Sequence, residues 1–186
     1  MNHIPLSISF TLVLVATAVL TCMPAVGHAA EGTSKGALAV ASTMNSADSA
    51  FVSNSLLDGM LMVQSATLAL KRGLTGEERQ FATKLSEDHT ALNEELSTLA
   101  KSKSVWIPTN LDTKRQAKFD ALGRKTDQEF AAAYLSDQID AHKDAISAFK
   151  EASEDAKDVD VKVLALKNLA GLTTHLEQVR ILAKKH

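Results

Sequence analysis

From about residue 48 to the C-terminus the chain carries one repeating signature, apolar residues three and four positions apart with polar residues between them. Side chains at that spacing share one face of an α-helix, because each residue turns about 100° from the last. The pattern predicts four long helices. The first covers about 48–72, with Ser46 or Asp48 as its cap, and is apolar round much of its girth (Phe51, Val52, Leu56, Leu57, Met60, Leu61, Met62). Such a helix is buried on more than one side. Gly73 stops it. Thr75 opens the second, with Glu78 three residues on to complete a capping box, and the pattern continues to about Lys101.

The stretch "SVWIPTN" (Ser104 to Asn110) is a long connection broken by Pro108, followed by a short amphipathic helix at about 112–122. Thr126 and Glu129 form a second capping box and open the third long helix, which runs to about Glu154. Asp158 or Asp160 opens the fourth. It ends near Lys184 and Lys185, whose charges suit a helix C-terminus. No segment alternates with period two over a useful length. The expected fold is all-α: a ferritin-like four-helix bundle over 48–186, with a short extra helix on the crossover between the second and third long helices.

Three histidines break the apolar faces. With Phe81 set at zero on the helical wheel, Leu85, Leu92, Leu96 and Leu99 fall between roughly 0° and 60°. Asp88 falls near roughly −20° and His89 near roughly 80°, so both flank the stripe. His142 sits within the arc of Leu135, Ile139, Ile146 and Phe149. His175 lies at the edge of Leu169, Leu172, Leu176 and Val179. Each histidine is near the middle of its helix, and in an antiparallel bundle the middles coincide. Met60 and Met62 occupy the middle of the first helix.

Two readings of this layer stand side by side. One is a buried polar network that fixes helix register. The other is a metal or small-ligand site made of His89, His142 and His175. Three neutral imidazoles with Asp88 would suit a mononuclear zinc ion, and addition of the Met62 thioether would suit copper(I). A di-iron centre of the ferritin kind needs a Glu from each of two helices and Glu-x-x-His from the other two. Ser86, Ile139 and Leu172 stand three residues before the histidines, and Asp140, Asp144 and Glu177 point away from the stripes. The sequence therefore argues against di-iron chemistry.

The first 29 residues differ from the rest. Ile4 to Leu20 is nearly all apolar or small, Pro24 follows, and Gly27 and Ala29 satisfy a signal peptidase. A signal peptide cleaved after Ala29 is expected, hence a periplasmic or secreted protein. The run lacks a preceding Lys or Arg. Retention as an anchor is a weaker reading, since the run is short of the ~20 residues that span a bilayer. Lipid attachment at Cys22 is another. Cys22 is the only cysteine, so the mature chain would have no thiol for a disulfide, a nucleophile or a sulfur-bound metal. Residues 30–47, rich in Gly, Ser, Thr and Ala, read as a flexible lead-in.

Composition narrows function further. A net charge of −2 without a basic run gives no reason to expect nucleic acid as a partner. No membrane span is expected after signal cleavage. P-loop and HExxH motifs are absent from the sequence, and nothing else in it points to catalysis.

The stretch from about Asp48 to Ala183 resembles the bacterial family called domain of unknown function 4142. The resemblance rests on Asp88-His89 followed by Asn93 and Leu96, on Pro108, on Phe130 and Tyr134 leading to His142, and on Leu172 leading to His175 and Leu176. It implies a ferritin-like bundle in the envelope or outside the cell, often labelled a putative outer membrane protein. It supplies no reaction. The strand alternation of a β-barrel is missing. The chain departs from the family pattern at Met62 and Gln64, where Glu is common, and at Ala131 and Ala170. Loss of the first-helix Glu removes a carboxylate ligand. The expected roles are a periplasmic or stress-associated bundle holding a metal or small ligand, or a non-catalytic interaction module whose histidines only pack.

Overall fold

The computed structural model describes residues 42–186. The expected signal segment, and the lead-in up to residue 41, lie outside the described residues. Within them the chain is all-α, with five helices and no strand: α1 Ser46–Lys71, α2 Gly76–Ser102, α3 Thr113–Gly123, α4 Asp127–Asp155 and α5 Val159–Ala183.

The helix ends show why the boundaries fall where they do. Asn45, not Ser46 or Asp48, caps α1, its side-chain oxygen accepting the Asp48 N–H at 3.0 Å. Gly73 follows the last turn at φ +83°, in the left-handed region that favours glycine. The next amide, Leu74 N–H, reaches back to the Ala69 carbonyl at 3.4 Å, closing the helix in the Schellman manner. The expected Thr75–Glu78 box does not form. Thr75 is the N-cap residue, but Gly76 enters the helix at φ +55° and the Thr75 side chain makes no capping bond. At α4 the expectation holds: Glu129 turns back to accept from the Thr126 N–H at 3.2 Å and its hydroxyl at 2.9 Å. Asp112 caps α3 through the Arg115 N–H, and Asp158 caps α5 through the amides of Asp160 and Val161.

α1 packs along α2 and α4 along α5, and the two pairs meet through α1 with α4 and α2 with α5; α3 lies against α1 and touches α4. Contacts at the ends give the directions. The Thr43 N–H donates to the Lys103 carbonyl, which brings the end of α2 to the start of α1. Arg72, at the end of α1, reaches the Lys125 carbonyl at 2.9 Å and Asp127 at 2.6 Å, at the start of α4. Asp48 joins the α4–α5 turn, accepting the Lys157 and Asp158 amides at 2.9 and 2.7 Å. Lys185 pairs with Glu77 at the start of α2. Each long helix is thus antiparallel to both neighbours it touches. The connection carrying α3 must climb the whole length of the helices, about 40 Å for a helix of this size.

The apolar core is divided in two. Val52, Leu56, Leu92, Leu96, Phe149 and Leu172 belong to one cluster. Ala66, Phe81, Leu85, Leu135, Leu176 and Val179 belong to the other. On α2 the boundary falls between Leu85 and Leu92, on α4 between Leu135 and Phe149, and on α5 between Leu172 and Leu176. The residue inside each boundary is a histidine. Ile139, Ile146 and Leu169, expected in the stripes, are only half-buried.

Candidate metal centre

Three helices deliver His89, His142 and His175 to the plane between the two apolar clusters. Their exposures are 3%, 0% and 5%. Ring centroids stand 5.4 Å apart for His89–His142, 5.6 Å for His89–His175 and 5.5 Å for His142–His175. One nitrogen from each ring falls in a group whose members all lie within 4.8 Å of one another. His89 Nε2 and His142 Nε2 are 3.3 Å apart. Two nitrogens bound tetrahedrally to one ion at ~2.0–2.1 Å would be about 3.3–3.4 Å apart, so this pair already has the spacing.

Burial keeps two of the rings, His89 and His142, in the ligand state. Burial pushes the His89 imidazole down to about 3, with His142 and His175 adding to the effect. Burial likewise lowers His142 to about 4, against the hydrogen bond to Gln138. Both rings are therefore neutral near pH 7, each with a lone pair available to an ion. Partial burial raises the Asp88 carboxyl, but hydrogen bonds from Lys84 and His175 outweigh it and hold that carboxyl below its usual range.

The contacts of the rings differ. His142 Nδ1 is 2.7 Å from the Gln138 carbonyl, one turn back on α4. His175 Nε2 is 2.8 Å from Asp88 Oδ2. Asp88 is half-buried and also accepts from Lys84 Nζ at 2.7 and 2.8 Å. The Nδ1 atoms of His89 and His175 are buried with no hydrogen-bond partner among the described residues.

Of the residues expected at the site, the three histidines come together, Asp88 meets one ring, His175, at Nε2, and Met62 is buried on a cavity that reaches only His89 of the three. Met62 and His89 line one cavity of about 390 Å³, with Gly59, Leu92, Phe149 and Leu172. No carboxylate belongs to the histidine group, and Asp140, Asp144 and Glu177 are exposed. The sequence reading did not single out Gln138 or Lys84. Gln138 is buried, one helical turn before His142 on the same face, and Lys84 stands one turn before Asp88. Spacing of four was the available signal.

A family model described as domain of unknown function (DUF4142) matches residues 33–182. The chain belongs to the DUF4142 family. The matched region of this DUF4142 chain contains all three histidines and Asp88. No curated protein matches the sequence. The chain is also similar to the crystal structure of a DUF305 fragment from Deinococcus radiodurans, with a TM-score of 0.68, 12% identity, and coverage of 77% of this chain and 99% of that one. At that identity the likeness shows a shared fold and nothing about activity. Among the described residues, no helix of this DUF4142 member is long and apolar enough to cross a membrane.

Proposed function

We propose that this DUF4142 member is a ferritin-like four-helix bundle of the periplasm or the exterior that binds one transition-metal ion, zinc(II) in the first instance, through His89, His142 and His175. The observation that carries the reading is the group of three buried imidazoles with nitrogens within 4.8 Å of one another. All three donors are nitrogen, which suits zinc. The antiparallel order of the helices, with its full-length crossover, supports the ferritin-like topology. The apolar run and small-x-small site before residue 30 support export.

The competing reading is a packing network that only sets helix register. The His89–His142 contact at 3.3 Å satisfies one pair of nitrogens within such a network. It leaves His89 Nδ1 and His175 Nδ1 without partners among the described residues. Each buried unsatisfied polar atom costs about 1–3 kcal/mol. An ion would recruit the lone pair of His175 Nδ1, whereas a purely structural layer bears the cost of leaving it unpaired. Copper(I) is the second metal reading, favoured by Met62 on the cavity that reaches His89.

Equilibrium dialysis of the purified protein against zinc(II) and, separately, copper(I) tests the proposal. One ion per chain is expected, lost when any of the three histidines becomes Gln. Retention well below one ion per chain for both metals would leave the packing network as the account of the layer.

A further inference from the structure

Of the three rings, two have their protons placed by a partner that can only accept. A backbone carbonyl has no hydrogen to give, so His142 Nδ1 carries the proton and donates it to Gln138 O at 2.7 Å. An ionised carboxylate is likewise acceptor-only, so His175 Nε2 donates to Asp88 Oδ2 at 2.8 Å. To bind an ion an imidazole must be neutral, with one N–H and one lone pair. In the ligand form the lone pairs of these rings are therefore on His142 Nε2 and His175 Nδ1. His175 Nδ1 is buried with no hydrogen-bond partner among the described residues, and His142 Nε2 meets His89 Nε2 at 3.3 Å.

Resting on the metal reading above, we propose that Asp88 is a positioning residue and not a ligand: it fixes His175 to coordinate through Nδ1, while the Gln138 carbonyl fixes His142 to coordinate through Nε2. Asp88 meets His175 at Nε2, the nitrogen opposite the lone pair, so its carboxylate lies outside the ring rather than beside the ion. Metal-bound histidines regularly donate their other N–H to a carboxylate or carbonyl, which sets the tautomer and raises ligand basicity. Lys84 grips both oxygens of Asp88 at 2.7 and 2.8 Å and holds the carboxylate in place from the solvent side. His89 has no such outer partner on Nδ1, so it is the adjustable ring. In the ion-free chain its Nε2–H points at His142 Nε2. Binding of an ion between those atoms requires that proton to leave Nε2. Asp88 lies on α2, one residue before His89, and anchors a ring of α5, so one turn of α2 supplies both a ligand and the orienter of another.

Two measurements test this on the full-length protein. Long-range ¹H–¹⁵N correlation spectra of the metal-free protein report which ring nitrogen is protonated. The expected result is Nε2–H on His175 and Nδ1–H on His142. Zinc titration then compares the parent with Asp88→Ala, Asp88→Asn and Gln138→Ala. Asp88→Ala is expected to weaken zinc binding by about 10- to 100-fold. Asp88→Asn, which keeps an acceptor oxygen, is expected to recover much of that loss. Gln138→Ala keeps its backbone carbonyl and is expected to leave affinity within about twofold of the parent. A His175 proton found on Nδ1 in the parent, or a folded Asp88→Ala variant that binds zinc as tightly as the parent, overturns the assignment. A parent that binds no zinc instead overturns the metal reading itself, and the tautomer spectra still decide the Asp88–His175 pairing.

Discussion

His89 and His142, on different helices, face each other Nε2 to Nε2 at 3.3 Å inside the apolar core. One of those atoms must donate and the other accept, so the contact survives only while at least one ring is neutral. Burial and the neighbouring rings lower His89 to about 3, and burial lowers His142 to about 4. An unfolded histidine titrates near 6.5. Between those limits the unfolded chain binds more protons than the folded one, so stability falls as pH falls. The metal-free protein is expected to lose about 1.4 kcal/mol per pH unit per ring below about pH 6.5. Urea midpoints at pH 7.5, 6.0 and 5.0 check this. A flat profile across that range, or replacement of both rings by Leu without flattening the slope, contradicts the assignment.

Replacing His142 by Leu separates the two uses of the ring. Leucine is apolar and of comparable bulk, and it removes a buried group that needs two partners. The variant without metal leaves His89 Nε2 without its partner and is expected to be less stable than the parent by about 1–3 kcal/mol. Zinc at a hundredfold excess over its dissociation constant should stabilise the parent by about 2.7 kcal/mol, and the variant by almost none. Thermal scans with and without zinc measure both numbers. An equal zinc-induced rise in Tm for parent and variant would show that the ion binds elsewhere.

Helix positions were legible because amphipathic period is a local property, and the inward histidines followed from the same wheel. Shared depth then brought His89, His142 and His175 together, since antiparallel neighbours align their middles. Contacts that depend on side-chain direction or on distant backbone were not legible. Asp88 was placed at the edge of the stripe, but its choice of His175 as partner depends on how α2 and α5 are rotated against each other. The acceptor for His142 Nδ1 is a main-chain carbonyl, which every residue has, so no residue type announces it. At the helix starts, Thr75 and Glu78 have the capping-box identities, yet the left-handed entry at Gly76 leaves the cap unmade. Asn45 caps α1, and this frees Asp48 for amides more than a hundred residues away.

Asp48 is expected to be a stability determinant remote from the histidines. It is buried, and its Oδ2 accepts from the Lys157 and Asp158 amides at 2.9 and 2.7 Å and from Asn45 Nδ2 at 2.6 Å. Asp48→Ala would strip the α4–α5 turn of its acceptor and leave two amides without a protein partner. The expected cost is about 2–4 kcal/mol, since bonds to a charged acceptor are worth more than neutral ones. Chemical denaturation gives the loss, and amide hydrogen exchange at Lys157 and Asp158 should accelerate. A loss below about 0.5 kcal/mol, with exchange unchanged, would show that the turn holds without the carboxylate.

Gly59 lies within α1, where glycine is disfavoured relative to alanine by about 1 kcal/mol. Propensity alone predicts that Gly59→Ala stabilises the protein. The packing predicts the reverse. A Cβ added there would stand 2.1 Å from Asn93 Oδ1 and 2.8 Å from Asn93 Cγ, across the α1–α2 contact and one turn from His89. The Asn93 side chain must swing away, and overpacking of this kind costs about 1–3 kcal/mol. Gly59→Ala in the parent is therefore expected to be destabilising by about 1 kcal/mol net. In an Asn93→Ala background the obstruction is gone, only the propensity gain remains, and the same substitution should stabilise by up to about 1 kcal/mol. The sign change between backgrounds is the signature, read from the four denaturation midpoints of a double-mutant cycle. If alanine at position 59 shifts stability in one direction in both backgrounds, the close approach of α1 to Asn93 is not what keeps glycine there.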